Sequence, residues 1–277
     1  MEVLVKDLIN KSLSILEDAD IADREVDVWL LAEQFLKVTK EDYLKNPDIT
    51  VTDTKAFEDA VAMRADHIPL QHITGVQNFC GFDFKVDERA LVPRFDTEVL
   101  VEKVSDYVKD NEMRILDMCT GTGCIAIALD KMCENAKVVA SDISEEALAL
   151  ATENNEKLGA NVEFVKSDLF DEIGGLFDVI VSNPPYIKTD EIEELMEEVK
   201  VHDPRLALDG DVDGLKFYRI ISASAISYLK IGGRIFYEIG YDQASDVKTI
   251  LEGFGYTDIE VIKDLSGNDR VITATKR

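Results

Sequence analysis

Apolar side chains in the first 65 residues recur at helical spacing. Leu4, Leu8, Ser12 and Ile15 share one face, with Val5, Ile9 and Leu16 beside it. In REVDVWLLAEQFLK, Val28, Leu31 and Phe35 cluster with the lone Trp29, which reads as core and not as a ligand platform. Asp53 is placed to cap a third helix running through Arg64. A stripe at i, i+3 and i+4 marks a helix burying one face. Residues 1–74 are therefore expected to form a small helical domain.

The register changes over 75–94. Phe79, Phe82 and Phe84 around Gly81 predict a β-hairpin linker. From 95 to 277 short apolar strands (114–118, 137–141, 162–166, 177–182, 233–239) alternate with helical stretches (123–134, 145–158, 189–200, 213–229). That alternation predicts βαβ units and a parallel sheet covered on both faces. The tail breaks it: 256–264 and 269–276 are two strands joined by LSGN with no helix between. The expected fold class is α/β: a seven-stranded, mostly parallel sheet with a C-terminal antiparallel hairpin, plus the N-terminal helical domain.

Composition narrows the function. A chain of 277 residues suggests about two domains. The net charge is −26, and the excess of acids runs through the whole chain. Duplex-binding proteins gain affinity from Lys and Arg displacing counterions, so direct nucleic-acid binding is not expected. No stretch approaches the ~20 apolar residues of a membrane span. The N-terminus lacks a basic region and cleavage site, so a cytoplasmic location is expected. Cys80, Cys119, Cys124 and Cys133 lack CxxC spacing, so reduced thiols and no metal site are expected. His67, His72 and His202 form no triad pattern.

Candidate chemistry begins where strand 114–118 runs through Asp117 into Cys119-Thr120-Gly121-Thr122-Gly123. Glycines there let the backbone turn tightly and a ligand approach the next helix N-terminus. The next strand ends at Asp142, whose carboxylate can accept ribose hydroxyls. A third strand leads into Ser167-Asp168-Leu169. A single acid at such a position is usually a helix cap; three after three successive strands predict an adenosine pocket. Up to this point a nicotinamide cofactor and S-adenosyl-L-methionine remain equally open.

The fourth strand separates them, because FDVIVS runs directly into Asn183-Pro184-Pro185-Tyr186. Pro-Pro alone would be a rigid turn. At the end of strand four, however, the motif resembles that of class I S-adenosylmethionine methyltransferases acting on amino or amide nitrogen. An amide nitrogen is a poor nucleophile, since its lone pair is delocalised. Two acceptors, the Asn183 side-chain oxygen and the Pro184 carbonyl, can each take one N–H and aim that pair at a methyl group. Tyr186 can pack its ring on the amide plane. A dehydrogenase would need a proton-handling His or Tyr, which this loop does not offer.

Several further segments are similar to the HemK/PrmC-type release-factor glutamine methyltransferases. They are Arg64 with Pro69-Leu70-Gln71-His72-Ile73-Thr74-Gly75 and Leu91-Val92-Pro93-Arg94-Phe95-Asp96-Thr97-Glu98. Downstream they are 204–210, Asp213-Gly214-Leu215, Phe217-Tyr218, Glu238-Ile239-Gly240 with Gln243, and 264–270. The resemblance covers most of the chain. It implies N5-methylation of the GGQ-loop glutamine in class 1 peptide chain release factors, with the helical domain gripping the factor. It also implies that Cys119, Thr120, Gly121, Thr122 and Gly123 wrap the cofactor and Asp142 holds its ribose. Asp168 and Leu169 would border the adenine. Asn183, Pro184, Pro185 and Tyr186 would hold the glutamine, with Asn183 also beside the cofactor. Cys119 and Phe95 depart from the family's glycine and proline.

Rival readings are a related methyltransferase acting on a ribosomal-protein glutamine or a nucleic-acid amino group, and a scaffold without turnover. The acidic surroundings of the motif disfavour nucleic acid, and the intact Asn183 and glycine loop disfavour a scaffold. The acidic run 190–198 reads by default as a solvated helix face, with steering of a basic partner as the functional reading. The protein is expected to be a monomer when free.

Overall fold

The computed structural model describes residues 2–277, which form two compact units. One runs to Gly75 and includes Met196–His202; the other comprises Val76–Leu195 and Asp203–Arg277.

In the first unit β1 (Val3–Leu4) pairs with β2 (Thr50–Val51) beside helices α1 (Val5–Asp18), α2 (Arg24–Leu31), α3 (Lys40–Lys45), α4 (Lys55–Ala65) and α5 (Leu70–Thr74). The buried stripe of α1 is Val5, Leu8, Ile9, Ser12 and Leu16. Leu4 and Ile15, expected on that face, are exposed instead. At 3.6 residues per turn Val5, Ile9, Ser12 and Leu16 form one row, which rotates Ile15 outward. Thr54 and not Asp53 precedes α4, without a side-chain cap. Arg64 is buried, donating from Nε to Asp27 at 2.6 Å and pairing with Glu198 at 2.8 Å.

The second unit opens with the antiparallel hairpin of β3 (Val76–Phe79) and β4 (Phe82–Lys85). Phe79 and Phe84 bury fully, in the same core cluster as Leu100 and Val104 of α6 (Glu98–Val108). Then come β5 (Arg114–Met118), α7 (Cys124–Met132), β6 (Lys137–Asp142), α8 (Glu145–Leu158), β7 (Glu163–Lys166) and β8 (Phe177–Ser182). Past α9 (Glu197–His202), which packs with the first unit, follow α10 (Arg205–Leu208), α11 (Lys216–Tyr228), β9 (Leu229–Glu238), α12 (Ala244–Gly253), β10 (Thr257–Lys263) and β11 (Asp269–Thr275).

The sheet order is β10-β11-β9-β8-β5-β6-β7, with β9, β8, β5, β6 and β7 parallel. β11 inserts antiparallel between β9 and β10, as the helix-free tail predicts. Side chains alternate between the faces. Ile115, Val179 and Val181 pack under α6 and α7, while Leu116 and Ile180 pack under α11 and α12. Three helices, α6, α10 and α12, fall in stretches where no helix is predicted.

The expected helix over 189–200 is absent. The segment forms a 3-10 turn at Ile192–Glu194, is extended at Leu195, and becomes helical only from Glu197. Like charges three and four residues apart oppose a continuous helix. Several of the acids are instead committed to ion pairs: Glu191 with Lys188, Glu193 with Arg205, Glu197 with Lys200, and Glu198 with Arg64. No helix among the described residues is long and apolar enough to cross a membrane.

Candidate active site

The carboxyl ends of β5, β6 and β8 open onto one cavity of about 400 Å³, within the usual range for small-molecule sites of about 300–1,000 Å³. Cys119, Thr120, Gly121, Thr122, Asp142, Asp168, Leu169, Asn183 and Pro185 line it. The residues named after four different strands are thus brought to one place. Gly123, Pro184 and Tyr186 lie outside the lining.

The loop after β5 is built from within. Asp117 is fully buried and accepts a 2.5 Å hydrogen bond from the Thr120 hydroxyl. Burial pushes its carboxyl up to about 7, against the lowering effect of Thr120 and the Ala126 amide. Of the three strand-end acids it shapes the loop instead of facing the cavity. The loop backbone is left-handed at Cys119 (φ 63°), Gly121 (φ 56°) and Gly123 (φ 79°). Gly123 also packs tightly, since a Cβ there would lie 3.0 Å from Ala151 Cβ and 3.1 Å from Ile127 Cδ1. That explains its position behind the loop. Cys119 tolerates a conformation that glycine adopts more readily. Its thiol is raised by burial and by Asp142 and Asp117; Cys124 is pushed up to about 12, mainly by burial. Burial of this kind disfavours the reactive thiolate form.

Asp142 closes the other side. Its Oδ2 accepts the Gly121 amide at 2.9 Å and its Oδ1 the Ser144 amide at 3.0 Å. Burial raises its pKa while these amides lower it. Each oxygen retains a lone pair for a ligand hydroxyl. Ile143, Ala147 and Leu169 supply apolar wall, and Asp168 is exposed at the rim.

The segment after β8 is held by structures far away in sequence. Ser182 donates to the Met118 carbonyl at 2.6 Å. Gln243 Nε2 donates to the Tyr186 carbonyl at 2.9 Å, and its Oε1 accepts the Gly240 amide at 3.0 Å. Ile187 bridges to Asp209, and Gly210 donates to the Ile187 carbonyl at 2.8 Å. A Cβ on Gly210 would come within 2.8 Å of Tyr186 Cα, so this backbone approach excludes every other residue. The Tyr186 hydroxyl donates to Glu238 Oε1 at 3.3 Å, and burial raises the phenol's pKa. Asn183 Nδ2 donates to Thr97 Oγ1 at 3.4 Å.

Comparisons with known proteins agree with this geometry. The "Methyltransferase small domain" model matches residues 94–212 and the "PrmC N-terminal domain" model residues 7–75. The chain is 38% identical to the release factor glutamine methyltransferase of Clostridium acetobutylicum, over 98% of each chain. It is 40% identical to that of Agrobacterium fabrum, over 93% of this chain and 92% of the relative. The chain belongs to the release factor glutamine methyltransferase family. A methyltransferase structure from Pyrococcus furiosus superposes with a TM-score of 0.54 at 23% identity, covering 71% of this chain and 89% of that one. This likeness supports the class I methyltransferase fold.

For a member of this family, sequence reasoning passed over several cavity residues. Arg89, Ala90, Val92, Thr97, Lys216 and Phe217 also line it. Val92, Thr97 and Phe217 fall in segments that carry the family resemblance, and that was the available signal. The signature at 204–214 and at 238–243 has a structural meaning as well: it clamps the Asn183–Tyr186 loop. Gly210→Ala is accordingly expected to lower methyl transfer about tenfold, through displacement of the loop, with cofactor affinity unchanged in calorimetry.

Proposed function

We propose that this methyltransferase transfers a methyl group from S-adenosyl-L-methionine to the side-chain nitrogen of the GGQ-loop glutamine of class 1 peptide chain release factors. The observation that carries the reading is Asn183, presented from the end of β8 into the same cavity as the Gly121 loop and Asp142. The names of the relatives supply the acceptor class.

The cavity's chemistry fits the cofactor. Apolar Ile143, Ala147 and Leu169 suit an adenine face, and Asp142, anchored by two backbone amides, suits two ribose hydroxyls. When bound, the group supplies an electrophilic methyl on a cationic sulfonium. The chain's own work is orientation. Asn183 Oδ1 and the Pro184 carbonyl accept the two N–H bonds of the glutamine amide. That favours a pyramidal nitrogen with its lone pair toward the methyl. Pro185, at the cavity wall, and Tyr186, braced by Glu238, keep the loop rigid. No strong general base is needed, because the methylated nitrogen loses its proton to water. The helical unit serves to grip the factor, and the protein acts as a cytoplasmic monomer.

Mass spectrometry of unmodified release factor, incubated with the protein and S-adenosyl-L-methionine, tests this. We expect a gain of one methyl, about 14 Da, on the GGQ glutamine. Methylation of another protein in its place would retain the chemistry and discard the substrate.

A further inference from the structure

Asn154 is a polar residue on an apolar face. Ala147, Leu150, Ala151 and Asn154 are the buried residues of α8, and Asn154 is fully enclosed. A buried amide is costly unless its hydrogen bonds are made, and here they are made to backbone. Asn154 Oδ1 accepts the Lys85 amide at 2.7 Å. Its Nδ2 donates to the Lys85 carbonyl at 3.0 Å and to the Thr122 carbonyl at 3.1 Å. Lys85 ends β4, which belongs to a two-stranded sheet and not to the seven-stranded one. Thr122 lies in the loop after β5. The segment that leaves Lys85 supplies Arg89, Ala90, Leu91 and Val92 to one wall of the cavity, and the loop after β5 supplies another.

We infer that Asn154 is a positioning residue for the cofactor pocket, holding the segment after β4 at a fixed spacing from the loop after β5. A side-chain amide has two N–H bonds to give and an oxygen to accept with. Backbone groups cannot exchange those roles, so the three partners fix both the place and the orientation of the Asn154 amide. The surrounding contacts run between the same elements. Ala151 sits so close to Gly123 that a Cβ there would lie 3.0 Å from its own. Ala90 clusters with Ala147 and Leu150 of α8, and a Cβ on Gly121 would meet Ala90 Cβ at 3.9 Å. Arg89 pairs with Glu153 at 2.9 Å. Ala90 is thus set against the glycine whose amide donates to Asp142. The Asn183 loop has separate anchors in Ser182, Gln243 and Gly210. Without the Asn154 donors the two cofactor walls lose their common tie, while the acceptor loop keeps its own.

This inference rests on the proposed use of the cavity by S-adenosyl-L-methionine. It is tested by calorimetric titration with that cofactor and by single-turnover methylation of release factor at saturating cofactor, with folding checked by thermal melting. Asn154→Asp keeps the shape and the acceptor for the Lys85 amide, but turns an acceptor toward the two carbonyls. Cofactor Kd is expected to rise at least about tenfold, with turnover at saturation within about threefold of the unmodified protein. An unchanged Kd in the folded variant would overturn the inference. So would a loss of turnover as large as the loss of affinity, which would make Asn154 a support for the whole unit. Should Asn154→Asp not fold, Asn154→Ser decides: its hydroxyl has one proton and cannot donate to both carbonyls. The same split between affinity and turnover is expected there, and an unaltered Kd overturns the inference. No cofactor binding by the unmodified protein would instead refute the proposed cofactor, and the inference with it.

Discussion

Asn183→Ala is expected to lower single-turnover methylation about 100-fold or more, equivalent to about 2.7 kcal/mol of transition-state stabilisation, with cofactor Kd within about threefold. The side chain enters the cavity from the end of β8, a strand flanked on both sides by parallel neighbours. Its backbone is immobilised by Ser182, Gln243 and the Gly210 contact. Truncation therefore removes an acceptor without loosening the loop. One N–H of the acceptor amide then loses its partner in a site sheltered from water, and the nitrogen lone pair is no longer aimed. Rapid-quench kinetics with unmodified release factor, alongside calorimetry, separates the two quantities. A folded variant that binds cofactor poorly would show that Asn183 serves the cofactor and not the acceptor.

Asp142→Ala should do the reverse. Its carboxylate orders both walls of the pocket by accepting the Gly121 and Ser144 amides, and it has lone pairs left for the ribose. Removing it forfeits the proposed ribose contacts and leaves the Gly121 and Ser144 amides without their acceptor. Hydrogen bonds to charged groups contribute about 1.5–3 kcal/mol each, so cofactor Kd should rise about 100-fold, or about 2.7 kcal/mol. At saturating cofactor, turnover should fall by less than about tenfold, because the Asn183 loop is anchored elsewhere. Calorimetric titration with S-adenosyl-L-methionine measures the first quantity. An unchanged Kd would remove Asp142 from the cofactor site.

The fold was legible wherever local pattern and burial coincide. The central strands are continuous apolar runs because both faces of the sheet are covered, and the helix-free tail marks the antiparallel pair. Legibility failed where charge or context outweighed pattern. The acidic stretch 190–198 satisfies a helical period on paper, yet breaks into two short turns held by ion pairs to four different cations. Helix α1 shows a smaller version: the apolar count was right, and the buried row lay one position away from Ile15.

By itself the sequence determined the family, the sheet and the candidate residues at its strand ends. Strand ends, glycine spacing and Asn183-Pro184-Pro185-Tyr186 are local in the chain, and a parallel sheet must bring successive strand ends to one edge. The tertiary structure alone decided which of those residues face the cavity and which stand behind it. Asp117, Gly123 and Tyr186 carry the same motif signal as Asp142, Gly121 and Asn183, but they turn inward to brace the loops. The long-range contacts of this loop were also beyond the sequence. Asn183 meets Thr97, 86 residues upstream, and Tyr186 meets Glu238, 52 residues further on. No spacing rule connects such positions; only the folding of β9 against β8, with the segment leading into α6, places their hydrogen-bonding groups together.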